Sequence, residues 1–163
     1  MQIAVTGAAE ANGTEYAAAR EVGRLLAENG TVLVCGGLAG VMEAACRGCR
    51  EGGGTTVGIL PGTGGENPYI AIAIRTGLGH ARNILVARSG DAMIAIGGGY
   101  GTLSEIAIAL KIGCPVFGLG TWDIPGVVPC GSPGEAVRLA VAAAVARREC
   151  GFTGSTPAGT PGS

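Results

Sequence analysis

A chain of 163 residues with a formal net charge of −1 fits one domain and offers no basic surface for nucleic acid, since Lys111 is its only lysine. Glycine contributes 32 residues and aromatics only 4%, so the core must be built from Ala, Val, Ile and Leu between many tight turns. No stretch approaches the ~20 consecutive apolar residues that cross a bilayer, and the opening MQIAVTG reads as a strand rather than a secretion signal. A cytoplasmic protein with no membrane or nucleic-acid partner is expected, its six cysteines kept as thiols.

The first expected strand covers residues 2–6. Asn12 and Glu15 have the spacing of a capping box, and Tyr16, Ala19, Val22, Leu25 and Leu26 then repeat on one helical face until Asn29-Gly30 closes the helix. A strand at 31–35 leads through the glycine-rich turn at 36–40 into a helix ending near 51. Strands at 55–60 and 69–74 bracket a polar loop, and a short helix is expected at 81–88. Strands at 92–96 and 115–119 flank a helix at 103–112. A weaker strand lies at 127–130, and Ser132-Pro133-Gly134-Glu135 opens a last helix running to about 148. Residues 1–150 are read as a single domain and residues 151–163, nearly all Gly, Ser, Thr and Pro, as a disordered tail.

One segment carries two periods. Ile106, Ile108, Leu110 and Ile112 alternate with small or charged residues, as in a strand. Yet Thr102 and Glu105 fit a T-x-x-E capping box, alanine favours helix, and Gly113-Cys114-Pro115 stops it. A helix is expected, apolar almost all round and therefore suited to a subunit interface. Alternating strands and helices, with strands that are continuous apolar runs, specify a three-layer, doubly wound Rossmann-like α/β fold. Its mostly parallel sheet should have about six or seven strands, with helices on both faces.

Ligands of such sheets bind beyond the carboxyl ends of the strands. The first turn lacks the G-x-G-x-x-G dinucleotide fingerprint, the second strand ends in Cys35 rather than an acid, and no G-x-x-x-x-G-K-[ST] occurs. What remains is the run Gly97, Gly98, Gly99, Tyr100, Gly101, Thr102, where a strand feeds a helix start and gathers free backbone N–H groups at its positive dipole end. One or two glycines would reverse the chain. Four suggest a phosphate that must approach the backbone closely. Glu105 is either the capping partner of Thr102 or a catalytic carboxylate, and Arg82 either a surface charge or a ligand-binding group. His80, the lone histidine, reads as local structure, and Cys46-x-x-Cys49 as small packing residues, because no second pair has zinc spacing. No metal site is expected.

At these residues the chain resembles a known family. Gly97-Gly-Gly-Tyr-Gly-Thr-Leu-Ser-Glu105 looks like the P-G-G-x-G-T-x-x-E motif of the "lonely guy" (LOG) phosphoribohydrolases, and Gly36-Gly37-Leu-Ala-Gly-Val-Met42 like their upstream G-G-x-x-G-x-M stretch. The resemblance implies hydrolysis of the N-glycosidic bond of a nucleoside 5′-monophosphate without a cofactor. Glu105 and Arg82 would be catalytic, Gly97–Thr102 would hold the phosphate, and Gly36, Gly37 and Met42 would line the neighbouring wall. Other segments, including residues 54–62, are similar to the branch of that superfamily containing molybdenum cofactor carriers, which implies instead a non-catalytic protein holding a pterin phosphate. Gly97 stands where the motif has proline, and Asn83 where a lysine usually follows the arginine.

Overall fold

The computed structural model describes residues 1–149 and 151. The expected disordered tail, apart from Gly151, lies outside them. Seven strands form one sheet: β1 (Gln2–Gly7), β2 (Val32–Cys35), β3 (Thr56–Leu60), β4 (Ile72–Arg75), β5 (Ala92–Ile96), β6 (Val116–Leu119) and β7 (Val127–Pro129). Their order is β4-β3-β2-β1-β5-β6-β7, and every neighbouring pair is parallel. The helices are α1 (Gly13–Glu28), α2 (Val41–Glu51), α3 (Asn83–Ser89), α4 (Tyr100–Lys111) and α5 (Pro133–Glu149), with a 3₁₀ turn at Gly79–Arg82 before α3.

Period-two alternation sends each strand's side chains to two different cores. Ile3, Val5, Leu33, Cys35, Ile94 and Ile96 pack under α1, α2 and α5. Ala4, Val34, Met93 and Ala95 pack on the other face with Val86 and Ala87 of α3 and Ile106 and Ala109 of α4. Both faces are covered, which is why the strands read as unbroken apolar runs. Cys46 and Cys49 belong to the first core, and burial pushes the Cys49 thiol up to about 11. No group of His, Cys, Asp and Glu that could hold a metal occurs among the described residues, and no helix there is long and apolar enough to cross a membrane.

Three boundaries depart from the sequence reading. The expected strand at 69–74 pairs only from Ile72, because Asn67 Oδ1 accepts the Tyr69 N–H and Thr56 Oγ1 donates to the Tyr69 carbonyl, tying residues 67–71 into an irregular turn. The short helix expected at 81–88 splits into the 3₁₀ turn and α3. Helix α4 begins at Tyr100 rather than 103, with the Leu103 N–H donating to the Gly99 carbonyl at 3.0 Å. Thr102 therefore lies inside the helix, and the capping box expected between Thr102 and Glu105 does not form. The box between Asn12 and Glu15 does.

Sheet order fixes the place of the site. From β1 the chain steps outward through β2, β3 and β4, then returns to β1's other side and steps outward through β5, β6 and β7. The two directions part between β1 and β5, and the loops leaving these strands open a crevice at their carboxyl ends.

Candidate functional site

That crevice is a cavity of about 470 Å³, within the ~300–1,000 Å³ range of small-molecule sites. Gly7, Ala8 and Ala9 from the end of β1 form one side, and Gly99, Gly101, Thr102 and Glu105 of the α4 start form the other. Leu38 and Met42 close it from the α2 side, while Pro61, Gly79, His80, Arg82 and Asn83 close it from the segment before α3.

At its base lies a buried polar triad. Arg82 Nη1 donates to Glu105 Oε1 at 3.0 Å, and Thr6 Oγ1 donates to Glu105 Oε2. Arg82 and Glu105 are each only 7% exposed. Burial raises the Glu105 pKa above the ordinary carboxylate value, against the Thr6 hydrogen bond and the Arg82 charge, which both lower it. Arg82 is held by the chain's backbone economy elsewhere: a Cβ on Gly36 would overlap its guanidinium, so only glycine lets it lie there. Arg82 Nε is buried with no acceptor among the described residues, an arrangement that an anionic or polar ligand group would relieve.

Two helix N-termini aim into the crevice, and neither has a side-chain cap. Gly40 precedes α2 and Gly99 precedes α4, whereas α1 is capped by Asn12 and the Glu135 N–H of α5 bonds Ser132 Oγ at 3.2 Å. The first amides of α4 are thus left for a ligand, with the positive dipole end behind them. The four glycines of this turn divide by role. Gly97 and Gly98 have φ of 52° and 110°, and a Cβ on Gly98 would overlap Thr102, so turn geometry alone demands them. Gly99 and Gly101 have neither constraint. Each would carry a Cβ into open space beside the cavity.

Not all the sequence candidates meet in the cavity. Arg82, Glu105, Gly99, Gly101, Thr102 and Met42 do. Gly36 sits behind Arg82, and Gly37 packs against Leu60 and Gly58, its carbonyl accepting the Asn67 N–H at 2.9 Å. Gly97 and Gly98 face a second cavity, and Tyr100 stands 84% exposed outside both. His80, read as local structure, is in the cavity wall. Thr6 and Asn67 were not singled out, and Asn83 was noted only as standing in place of a lysine. Thr6 had one available signal, a hydroxyl at the end of an apolar strand next to the switch point. Asn67 Nδ2 donates to the Leu38 carbonyl at 2.9 Å and holds the turn above the cavity. Asn83 Nδ2 donates to Ser104 Oγ at 2.8 Å, linking α3 to the start of α4.

Fold and site together define an α/β Rossmann-like protein of the LOG superfamily, with a buried Arg82–Glu105 pair at the base of its crevice. The chain belongs to the SLOG cluster4 family, whose model matches residues 1–157. It is 47% identical over 147 residues to an uncharacterized protein of Archaeoglobus fulgidus, covering 89% of this chain and 97% of that one. The molybdenum cofactor binding protein of Rippkaea orientalis superposes with a TM-score of 0.79 at 37% identity, covering 86% of this chain and 94% of that one. The cytokinin riboside 5′-monophosphate phosphoribohydrolase of Rhodococcoides fascians is 37% identical over 106 residues. That match covers 61% of this chain and only 54% of the enzyme.

Proposed function

We propose that the crevice binds a phosphorylated small molecule of the nucleoside 5′-monophosphate class and that Glu105 and Arg82 hydrolyse its N-glycosidic bond. One observation carries the reading: the buried Arg82–Glu105 pair opens into the same cavity as the uncapped start of α4, where Gly99 and Gly101 leave room that the fold does not need. The phosphate rests on the amides of residues 99–102, with the Thr102 hydroxyl as a further donor. A helix start contributes ~0.3–1 kcal/mol per exposed charge, more in a partly buried setting. One turn deeper, the Glu105 carboxylate faces C1′ of the ribose. There it stabilises positive charge as the base departs with the bonding electron pair, and takes a proton from the water that adds to C1′. Arg82 keeps that carboxylate ionised and offers Nε to the ligand. No metal takes part in this scheme.

The test is direct. Purified protein incubated with AMP and other monophosphates should release free base, read by chromatography, and Glu105→Gln should abolish release while retaining AMP binding. A panel with no turnover by the wild-type protein refutes hydrolysis. A second reading, a carrier of molybdenum cofactor held by its pterin phosphate, draws on the Rippkaea similarity, which spans 86% of the chain against 61% for the Rhodococcoides enzyme. It requires cofactor to be retained from a cofactor-rich extract and released intact. Either activity suits the cytoplasm, where the five described cysteines would stay as the free thiols they are. We further propose that α4, whose Ile108 and Leu110 are only partly buried against the second core, takes part in the contact of a homodimer or homotetramer, to be measured by light scattering.

A further inference from the structure

On the far side of the glycine turn lies a second cavity of about 310 Å³, lined by Glu15, Gly97, Gly98, Gly120, Thr121 and Trp122. It adjoins a third of about 360 Å³ that shares Trp122 and adds Asp123. The wall is stitched to the turn: Thr121 Oγ1 donates to the Gly97 carbonyl at 2.6 Å, and the Gly97 N–H to the Leu119 carbonyl at 3.0 Å. Above it stand two aromatic rings with little protein around them. Tyr100 is 84% exposed and Trp122 37%, with centroids 6.2 Å apart and planes inclined by 31°. Tyr100 is also the first residue of α4, beside the amides assigned to the phosphate.

We infer that this second cavity holds a second ring system, and that the ligand is a diphosphate-bridged molecule carrying an aromatic heterocycle with an exocyclic amino group. The inference rests on the phosphate position proposed above. Neither Tyr100 nor Trp122 lines the first cavity, so a monophosphate with its ribose over Glu105 leaves the aromatic pair unused. A second group joined through the phosphate would cross the turn and meet it. The charges decide which part of the ligand lies there. Glu15 and Asp123 repel phosphate, which excludes the anionic portion. They accept hydrogen bonds from a neutral ring's amino group: Glu15 Oε2 is engaged by the Asn12 N–H at 3.0 Å, while Oε1 lies against Gly97 with no protein donor among the described residues. The flat faces of Trp122 and Tyr100 supply stacking, which tolerates any such ring.

Trp122 is the only tryptophan of the chain and lines the second and third cavities but not the first, so its fluorescence reports the far side of the glycine turn. The experiment titrates the full chain with AMP and with diadenosine diphosphate, following emission and, in parallel, heat. Diadenosine diphosphate should bind about tenfold more tightly than AMP and quench Trp122, while AMP binds without quenching. Trp122→Leu should return the dinucleotide's affinity to that of AMP and leave AMP's own unchanged. Equal binding of the two ligands, or equal quenching by both, overturns the second-ring assignment and leaves the phosphate reading standing. Binding of neither overturns both.

Discussion

Gly101 separates what the fold needs from what the ligand needs. It lies in the first turn of α4, a Cβ there meets nothing within 4 Å, and its backbone has no positive φ. Gly101→Ala therefore removes only unfolded-state freedom, stabilising the chain by about 0.5–1 kcal/mol. At this length that corresponds to a Tm rise of ~1–4 °C. The same methyl stands at the cavity wall, where the proposed phosphate meets the amides. Losing a hydrogen bond to a charged group costs about 1.5–3 kcal/mol, so AMP should bind about tenfold to a hundredfold more weakly. Differential scanning calorimetry without ligand and isothermal titration with AMP give the two numbers. Gly98→Ala is the control: with φ of 110° and a Cβ overlapping Thr102, it should lose ~1–3 kcal/mol. A Gly101→Ala protein that is more stable and binds AMP as the wild type does would refute the placement of the phosphate. A fall in Tm would refute the open space.

Other outcomes follow from the buried triad. Because burial raises the Glu105 pKa above 4.5, the folded state holds this proton longer than the unfolded chain; its contribution to stability is full below 4.5 and is lost as pH rises through the folded pKa. Wild-type Tm should accordingly fall relative to Glu105→Gln across that window, and equal pH dependence would contradict it. Thr6→Val removes a hydrogen bond that lowers the Glu105 pKa, so the acid limb of any base-releasing activity should move to higher pH, with a stability cost of about 1 kcal/mol. An unmoved limb would show that Thr6 does not tune the acid. Gly36→Ala, at a residue outside the cavity lining, should displace the Arg82 guanidinium and lower turnover; unchanged kinetics would argue against Arg82's part. Asn12→Ala, at a residue outside the lining of the first cavity, should cost ~1 kcal/mol of stability and leave AMP affinity intact.

The local features were legible in the sequence because they depend on neighbours in the chain. Continuous apolar runs and helical patterns placed all seven strands and the five α-helices, and Asn12 with Glu15 marked the α1 start. The glycine run at 97–101 identified the turn that faces the crevice. Where long-range contacts compete with local signals, the sequence misled: Asn67 and Thr56 hold back the start of β4, and Thr102 with Glu105 had the spacing of a cap that α4 does not use. Only the tertiary structure decided the surroundings of Glu105. Its partners are Thr6, at a separation of 99 residues, and Arg82, at 23, and no periodicity encodes such meetings. It also divided four similar glycines into two that the backbone requires and two that face empty space. That distinction depends on φ and on what surrounds a missing Cβ, and both exist only once the sheet has brought β1 beside β5.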